Sequence, residues 1–547
     1  MCNSNALSPN SQCEHHTLLA PFVDQKHPSP PLLNPRPPGE LALALLEAKS
    51  LLALALPMVL SGLLFYSRSM ISMLFLGRLG RLPLAGGTLA IGFANITGYS
   101  ILSGLATGME PICSQAFGAN KRSALLRLAL RRTVLLLLTA SLPIAALWAV
   151  MHRLLLLCGQ DPDIAAAARS YILTSLPDLL LQSFLHPLRV YLRAQSIIIP
   201  LTYCAAIALL LHIPINYLLV SVHQLGIQGV ALASVSANFN LLILLVSFIY
   251  FFGIHSPTSG DDGELHLTKH GFDAWRSLIG LAIPSCISVC LEWWWYEIMI
   301  LLCGLLLDPK STVASMGILI QTTSLLYIFP SSLSYGVSTR VGNELGANRP
   351  DRARRAAAVG LSCGAALGLA ALVFAVSVRN AWAAMFTDSK GIAKLTAAVL
   401  PILGLCELGN CPQTVGCGVL RGCARPRAAA NINLVSFYGF GMPVAVGLAF
   451  FGGFDFRGLW LGLLAAQAAC VATMLSVVRR TDWDLQAERA QRLTKGAVES
   501  DALVVKVIGD GSDESNGKQA TKTGVMGGEG KSPLIVSINI DGSTVLT

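Results

Sequence analysis

Leu291-Glu292-Trp293-Trp294-Trp295-Tyr296-Glu297 places two carboxylates and four aromatic rings in the middle of an apolar run. Between Arg276 and Asp308 the only charged residues are Glu292 and Glu297, and Glu292 lies 16 positions from each of those ends. A run of that length spans a bilayer, so Glu292 falls near the midplane. An ionisable side chain there costs about 3 kcal/mol on insertion scales, so both acids must face a polar cavity or be protonated. The stretch therefore predicts a proton or cation site; the alternative is a carboxyl that only fixes helix packing. At about 100° per residue the two acids point about 140° apart. Glu292 then shares a face with Trp295 and Tyr296, and Glu297 with Trp293 and Trp294. One glutamate is expected to be the transport site and the other a partner held between helices.

The rest of the chain fits such a helix. Of 547 residues 53% are hydrophobic and 13% charged, where soluble proteins carry about 25% charged. This is a polytopic membrane protein. The net charge of +9 comes from basic clusters between apolar runs, where Lys and Arg determine topology, and no nucleic-acid motif accompanies them. Many of the 14 cysteines lie inside apolar runs, with no CxxC pair and no His/Cys metal pattern. They read as small apolar packers, and neither metal nor cofactor is expected.

The first 49 residues are Pro-rich with no basic-then-apolar start, so they read as a disordered cytoplasmic tail rather than a cleaved signal. Apolar runs predict spans near 50–76, 84–109, 133–151, 163–187, 197–221 and 227–253. Six more follow near 277–306, 312–336, 356–378, 391–413, 428–451 and 458–478. This gives a six-helix bundle over 50–254, a cytoplasmic connection over 255–276, and a second bundle over 277–478. Residues 479–547 turn polar and Gly-rich and read as a second disordered tail, open to protein partners. The side carrying Lys121, Arg122, Arg189, Arg193, Arg340, Arg349, Arg421 and Arg425 is the richer in Lys and Arg. It is therefore cytoplasmic, and so are both termini. Arg68 lies inside the first span, where it either snorkels to the nearer face or meets a carboxylate; snorkelling is expected.

The two bundles echo each other. Pro57 and Pro284 stand 227 apart, and Gly118-Ala119-Asn120 and Gly346-Ala347-Asn348 stand 228 apart. Pro177, Pro187, Arg193 and Pro200 pair with Pro401, Pro412, Arg421 and Pro426 at spacings of 224 to 228. Six spans per half put the repeats in the same orientation, related by an axis along the membrane normal, with a cleft between them. Pro57 and Pro284, each in the first helix of its half, are either hinges or static kinks.

Glu292-Trp293-Trp294 with Tyr296-Glu297, Arg340-Val341-Gly342-Asn343-Glu344-Leu345-Gly346-Ala347 and Gly418-Val419-Leu420-Arg421-Gly422 resemble the multidrug and toxic compound extrusion (MATE) transporters. Met109-Glu110-Pro111 and Gln115-Ala116-Phe117-Gly118-Ala119 point more narrowly to the plant DETOXIFICATION branch. The resemblance covers roughly residues 48–483. It implies a twelve-helix, two-lobed exporter alternating between inward and outward openings and driven by protons or sodium. Glu292 would be the main coupling acid and Glu297 a second on the same helix. Gln321 stands where animal relatives have a glutamate, and Asn410 where relatives carry an acid on the tenth helix. Glu407, one turn from Asn410, either supplies that acid or makes an interhelical hydrogen bond. The first helix has no acid over 50–76. Asp178, after Pro177, is the one acid well inside a span of the first half, whereas Glu110 near a helix end reads as structural.

The expected site is thus Glu292, Glu297 and Glu407 for protons, with a substrate cleft of Trp293, Trp295, Tyr296, Gln321, Asn410, Gln413 and Asp178. Aromatic rings there suit planar organic molecules, unless they face lipid or other helices. Two other readings compete with a proton-coupled exporter of small organic solutes. A membrane scaffold would use its buried acids for assembly, and a membrane enzyme would need a metal cluster or a Ser/Lys dyad, of which there is no sign. The membrane is expected to be the plasma membrane or an endomembrane such as vacuole, Golgi or late endosome.

Overall fold

Acidic caps followed by proline open two of the helices. Asp161 Oδ1 accepts from the amides of Asp163 (2.9 Å) and Ile164 (3.2 Å) ahead of Pro162. Asp308 Oδ1 does the same for Ser311 (3.3 Å) ahead of Pro309. Each cap satisfies amides that a helix start leaves unpaired, at a place where proline has no amide to lose.

The computed structural model describes residues 39–119, 124–252, 269–387 and 389–494. Among them there is no strand. Eleven helices are long and apolar enough to cross a membrane, and a pair bent by 47° makes a twelfth. In the first half these are α1 (Glu40–Leu79), α2 (Arg81–Gly118), α3 (Leu125–Leu157), α4 (Pro162–Thr174 with Leu176–Ala194), α5 (Ile199–Val222) and α6 (Gly226–Phe251). The second half has α7 (Trp275–Cys303), α8 (Pro309–Gly346), α9 (Pro350–Phe386), α10 (Lys390–Gly422), α11 (Pro426–Phe451) and α12 (Asp455–Arg479). The chain divides between Leu46 and Glu47, and every contact below lies in the unit from Glu47 onward.

Each half has its own core. Trp148, Met151, Leu102 and Ile172 are fully buried in the first, and Trp295, Met299, Phe456 and Trp460 in the second. The repeat extends to backbone detail. α4 and α10 both close on a left-handed residue, Ser196 (φ 61°) and Ala424 (φ 55°). The amide of Ile197 then returns to the Leu192 carbonyl (3.0 Å) and that of Arg425 to the Leu420 carbonyl (2.8 Å). α5 and α11 both finish in a π-helical turn, at Leu218–Val222 and Gly447–Phe451.

The ends of the elements differ from expectation. α1 begins at Glu40, inside the predicted tail of residues 1–49, because Leu41 to Leu46 is a strong helix-forming run. The helix of α7 begins at Lys269, inside the predicted connection of 255–276. Residues 1–38, 120–123, 253–268, 388 and 495–547 lie outside the described residues. The largest departure is after α12, where the tail from Arg479 is not featureless: residues 483–494 form a further helix, α13. Asp482 Oδ1 caps it at the Leu485 amide (3.0 Å). Gln486, Ala487, Ala490 and Thr494 form its buried face. Ala487, Ala490 and Trp483 pack in a cluster drawn mainly from α8, α9 and α10, and Leu493 packs on a cluster that includes Met109, Leu125 and Leu126 of the first half and Leu278 of α7. Gln491 Nε2 donates to the Gly346 carbonyl (2.8 Å).

Candidate functional site

Glu292 projects from α7 into the second half, where three other helices meet it. Its Oε1 accepts from Asn433 Nδ2 on α11 (2.8 Å) and Gln413 Nε2 on α10 (3.0 Å). Its Oε2 lies 3.4 Å from Tyr327 Oη on α8. Asn433 also reaches Ser288 Oγ (3.1 Å) and accepts from Gln413 Nε2 (3.2 Å). The partners are neutral, and among the described residues Glu292 makes no ion pair. A carboxyl held by neutral donors from three helices, outside any ion pair, rearranges those helices' bonds when it gains or loses a proton.

A second acid lies in the same half. Glu407, buried on α10, accepts from Asn410 Nδ2 (2.8 Å), and Asn410 Oδ1 accepts from Gln467 Nε2 on α12 (3.4 Å). The one-turn spacing thus brings this acid and amide together. The first half repeats the device with charge added: Asp178 on α4 accepts from Asn238 Nδ2 on α6 (2.6 Å) and faces Gln182 Nε2 (3.4 Å). Asn238 Oδ1 in turn accepts from Arg68 of α1. Arg68 therefore turns inward to this network instead of snorkelling, because an amide linked to a buried carboxylate offers it a partner that lipid does not.

Other predicted residues are placed apart. Trp295 is fully buried, its ring 5.5 Å from Phe437 and 6.1 Å from Tyr438, so it belongs to the core and not to a cleft. Tyr296 packs against that core. Trp293 and Trp294 are each 39% exposed, and Trp294 Nε1 donates to the Ile96 carbonyl of the first half (3.3 Å). Gln321 is exposed. Glu297 is partly buried and among the described residues has no hydrogen bond or ion pair, so it is not held between helices as expected. Pro57 and Pro284 lie inside unbroken helices. The Pro57 carbonyl accepts from Ser61 Oγ and Thr202 Oγ1 (both 3.0 Å), which ties this turn of α1 to α5.

The halves meet through residues that sequence reasoning had assigned to topology. Fully buried Glu110 of α2 pairs with Arg193 of α4 (2.8 Å) and with its repeat mate Arg421 of α10 (3.4 Å). Both guanidinium groups lie over the Tyr335 ring of α8, at 3.9 and 4.9 Å. A Cβ on Gly118 would collide with the Asn343 carbonyl, and one on Gly346 with that of Gln115. These contacts are related by the repeat, and only glycine lets the backbones approach so closely. Arg340 clamps Glu47 of α1 (2.7 and 3.2 Å) and Glu344 (2.7 Å). Hydrogen bonds and close contacts between halves run from this basic end up to Ile96 with Trp294, and Gly62 with Ile328.

A single family model, MatE, matches the chain twice, over residues 57–218 and 284–446. The matches begin at Pro57 and Pro284, the first pair of the repeat. The chain belongs to the MatE family. Protein DETOXIFICATION 49 of Arabidopsis thaliana is 63% identical over 470 residues, covering 86% of this chain and 92% of the relative. Protein DETOXIFICATION 48 of the same plant is 55% identical over 505 residues, covering 90% and 94%. The eukaryotic MATE transporter AtDTX14 superposes with a TM-score of 0.77 at 30% identity, covering 82% of this chain and 99% of that one. The Vibrio cholerae MATE transporter VcmN in its bent form superposes at 0.68 with 19% identity, over 80% and 98%, and shares the fold. This MatE chain is thus a multi-pass membrane transporter of plant DETOXIFICATION type, and the MATE fold accounts for its two six-helix halves.

Proposed function

We propose that the chain exports small organic solutes in exchange for protons, with Glu292 as the proton carrier and the two halves rocking to expose the cleft alternately on each side. The observation that carries this reading is the Glu292 site: a mid-span carboxyl held by Asn433, Gln413 and Tyr327, neutral donors from three helices, with no ion pair among the described residues. In the ionised form it gathers α8, α10 and α11 around α7. A proton removes one acceptor site and loosens that set, which biases the half toward another packing. Glu407, bonded to Asn410, is a second proton site in the same half, and Asp178, already linked to Arg68, is a structural acid. The basic end, at which the halves meet, faces the cytoplasm.

The test is flux of a fluorescent organic solute in proteoliposomes under an imposed pH gradient, at matched protein incorporation. Glu292→Gln should reduce proton-driven flux to background, and Glu297→Gln should retain most of it. Undiminished flux in Glu292→Gln would exclude Glu292 as the carrier. A scaffold with structural acids would show no gradient-dependent flux at all.

A further inference from the structure

We propose that the cavity at the base of the interface is a binding site for a small organic carboxylate, with Arg189 as its principal ligand and Arg193 as the second. The proposal deepens the export reading by naming a substrate class. The cavity, about 240 Å³, is walled by α1, α2, α4 and α5 of the first half and by Ile328 to Tyr335 of α8. Arg189 lines it with no ion pair or hydrogen bond among the described residues, and its Nε is buried without a partner. Arg193 lines it too, and although one nitrogen is bound to Glu110, its Nε is likewise buried and unpartnered.

Phe65 lies under Arg189, 4.6 Å from its Cζ. A ring face returns only part of what it costs to take a cation out of water. The ring alone does not offset the burial. The charge inventory agrees: four arginines (Arg68, Arg189, Arg193, Arg421) gather here around two acids, Glu110 and Asp178. Arg68 is taken up by the Asp178 network, and Glu110 is shared by Arg193 and Arg421, so Arg189 is left over. His186 lines the same wall and supplies no negative charge.

The guanidinium carbons lie over the Phe65 and Tyr335 rings, and the Nε edge of each arginine has no partner among the described residues. Those edges match the paired oxygens of a carboxylate. Ser103 adds a hydroxyl, those of Ser331 and Ser332 being donated to the Ile328 carbonyl, and Met58, Leu201 and Ile328 form an apolar wall for a carbon skeleton. The volume is below the usual range for drug-sized ligands, so one ring or a short chain fits. An organic ammonium ion of the same shape would meet the arginines' charge.

The experiment uses the whole protein in nanodiscs of zwitterionic lipid with no pH gradient, which keeps anionic lipid headgroups out of the assay. Calorimetric titrations compare benzoate and phenylacetate with benzamide, benzylamine and sodium sulfate. The two carboxylates should bind, the amide and amine should not at the same concentration, and sulfate should bind more weakly than either. Arg189→Gln should weaken benzoate by about tenfold or more, and Arg189→Lys by less, since it keeps the charge and loses the paired edge. Equal binding of benzoate and benzamide, sulfate as good as benzoate, or full benzoate affinity in monodisperse Arg189→Gln would each overturn the proposal. The wild-type comparison decides even if the variant does not fold. No gradient is involved, so a negative result leaves proton exchange standing, just as a failure of the Glu292→Gln test would leave carboxylate binding untouched.

Discussion

Glu292 and Asp178 are both carboxyl groups within spans, and their surroundings divide them. Asp178 reaches Arg68 through Asn238. Removing one member of such a buried set strands the other, at a cost of about 3 kcal/mol or more. Arg68→Met should therefore lower the thermal unfolding midpoint in detergent by several degrees, and adding Asp178→Asn should restore much of it. If the double variant is no better than the single one, the two residues are not coupled. Around Glu292 the bonds are neutral, so Gln413→Leu should cost less, about 1–3 kcal/mol for the donors and acceptors left unmatched. It should also reduce proton-driven flux, and a variant with normal stability and flux would show that the Gln413 bond is incidental. Of this site, Glu292, Gln413, Glu407 and Asn410 were legible in the sequence because polar residues in apolar runs stand out. Asn433 and Tyr327 were not, since their importance comes from which helices fold against α7. Arg189 and Arg193 were read only as topology signals because the sequence does not say what a basic residue near the end of a span faces.

At the scale of helices, close approach of the halves at the basic end depends on Gly118 and Gly346. Gly118→Val would drive a side chain into the Asn343 backbone. A cysteine pair replacing Gln115 and Asn343, in a background stripped of native cysteines, should cross-link readily with glycine at 118. With valine the yield should drop roughly tenfold, the equivalent of about 1.4 kcal/mol against the closed arrangement. An unchanged yield would mean that the crossing tolerates a side chain. The existence and order of the twelve spans could be read from apolar runs because bilayer thickness sets their length. Their ends could not: α8 continues ten residues past the expected 336, through the polar Arg340-to-Gly346 motif, because Glu47 and Glu344 pair with Arg340 there. α13 was missed because its buried face consists of small and polar residues, Ala487, Ala490, Gln486 and Thr494, which no hydropathy window registers.

Across the whole molecule, parallel repeats give each half the same sidedness, so one labelled position on each face fixes both. Exposed Cys158 lies between α3 and α4, at the end opposite the Arg340 and Arg421 cluster. With the protein at the surface of a yeast host, an impermeant thiol reagent should label Cys158 in intact cells. A cysteine replacing Asp351 should be labelled only after permeabilisation. The reverse pattern would invert the topology. The repeat was visible in the prolines and glycines because backbone-constrained residues keep their places when side chains around them diverge. The chemistry of the two halves was less visible, since Phe65 and Glu292 are repeat mates by spacing and yet one stacks under Arg189 while the other stands among amides. α13 sets a practical limit on where this chain can be cut or extended. A reporter spliced in at Arg479 would evict a helix that touches both halves, whereas one joined after Thr494 would leave it seated.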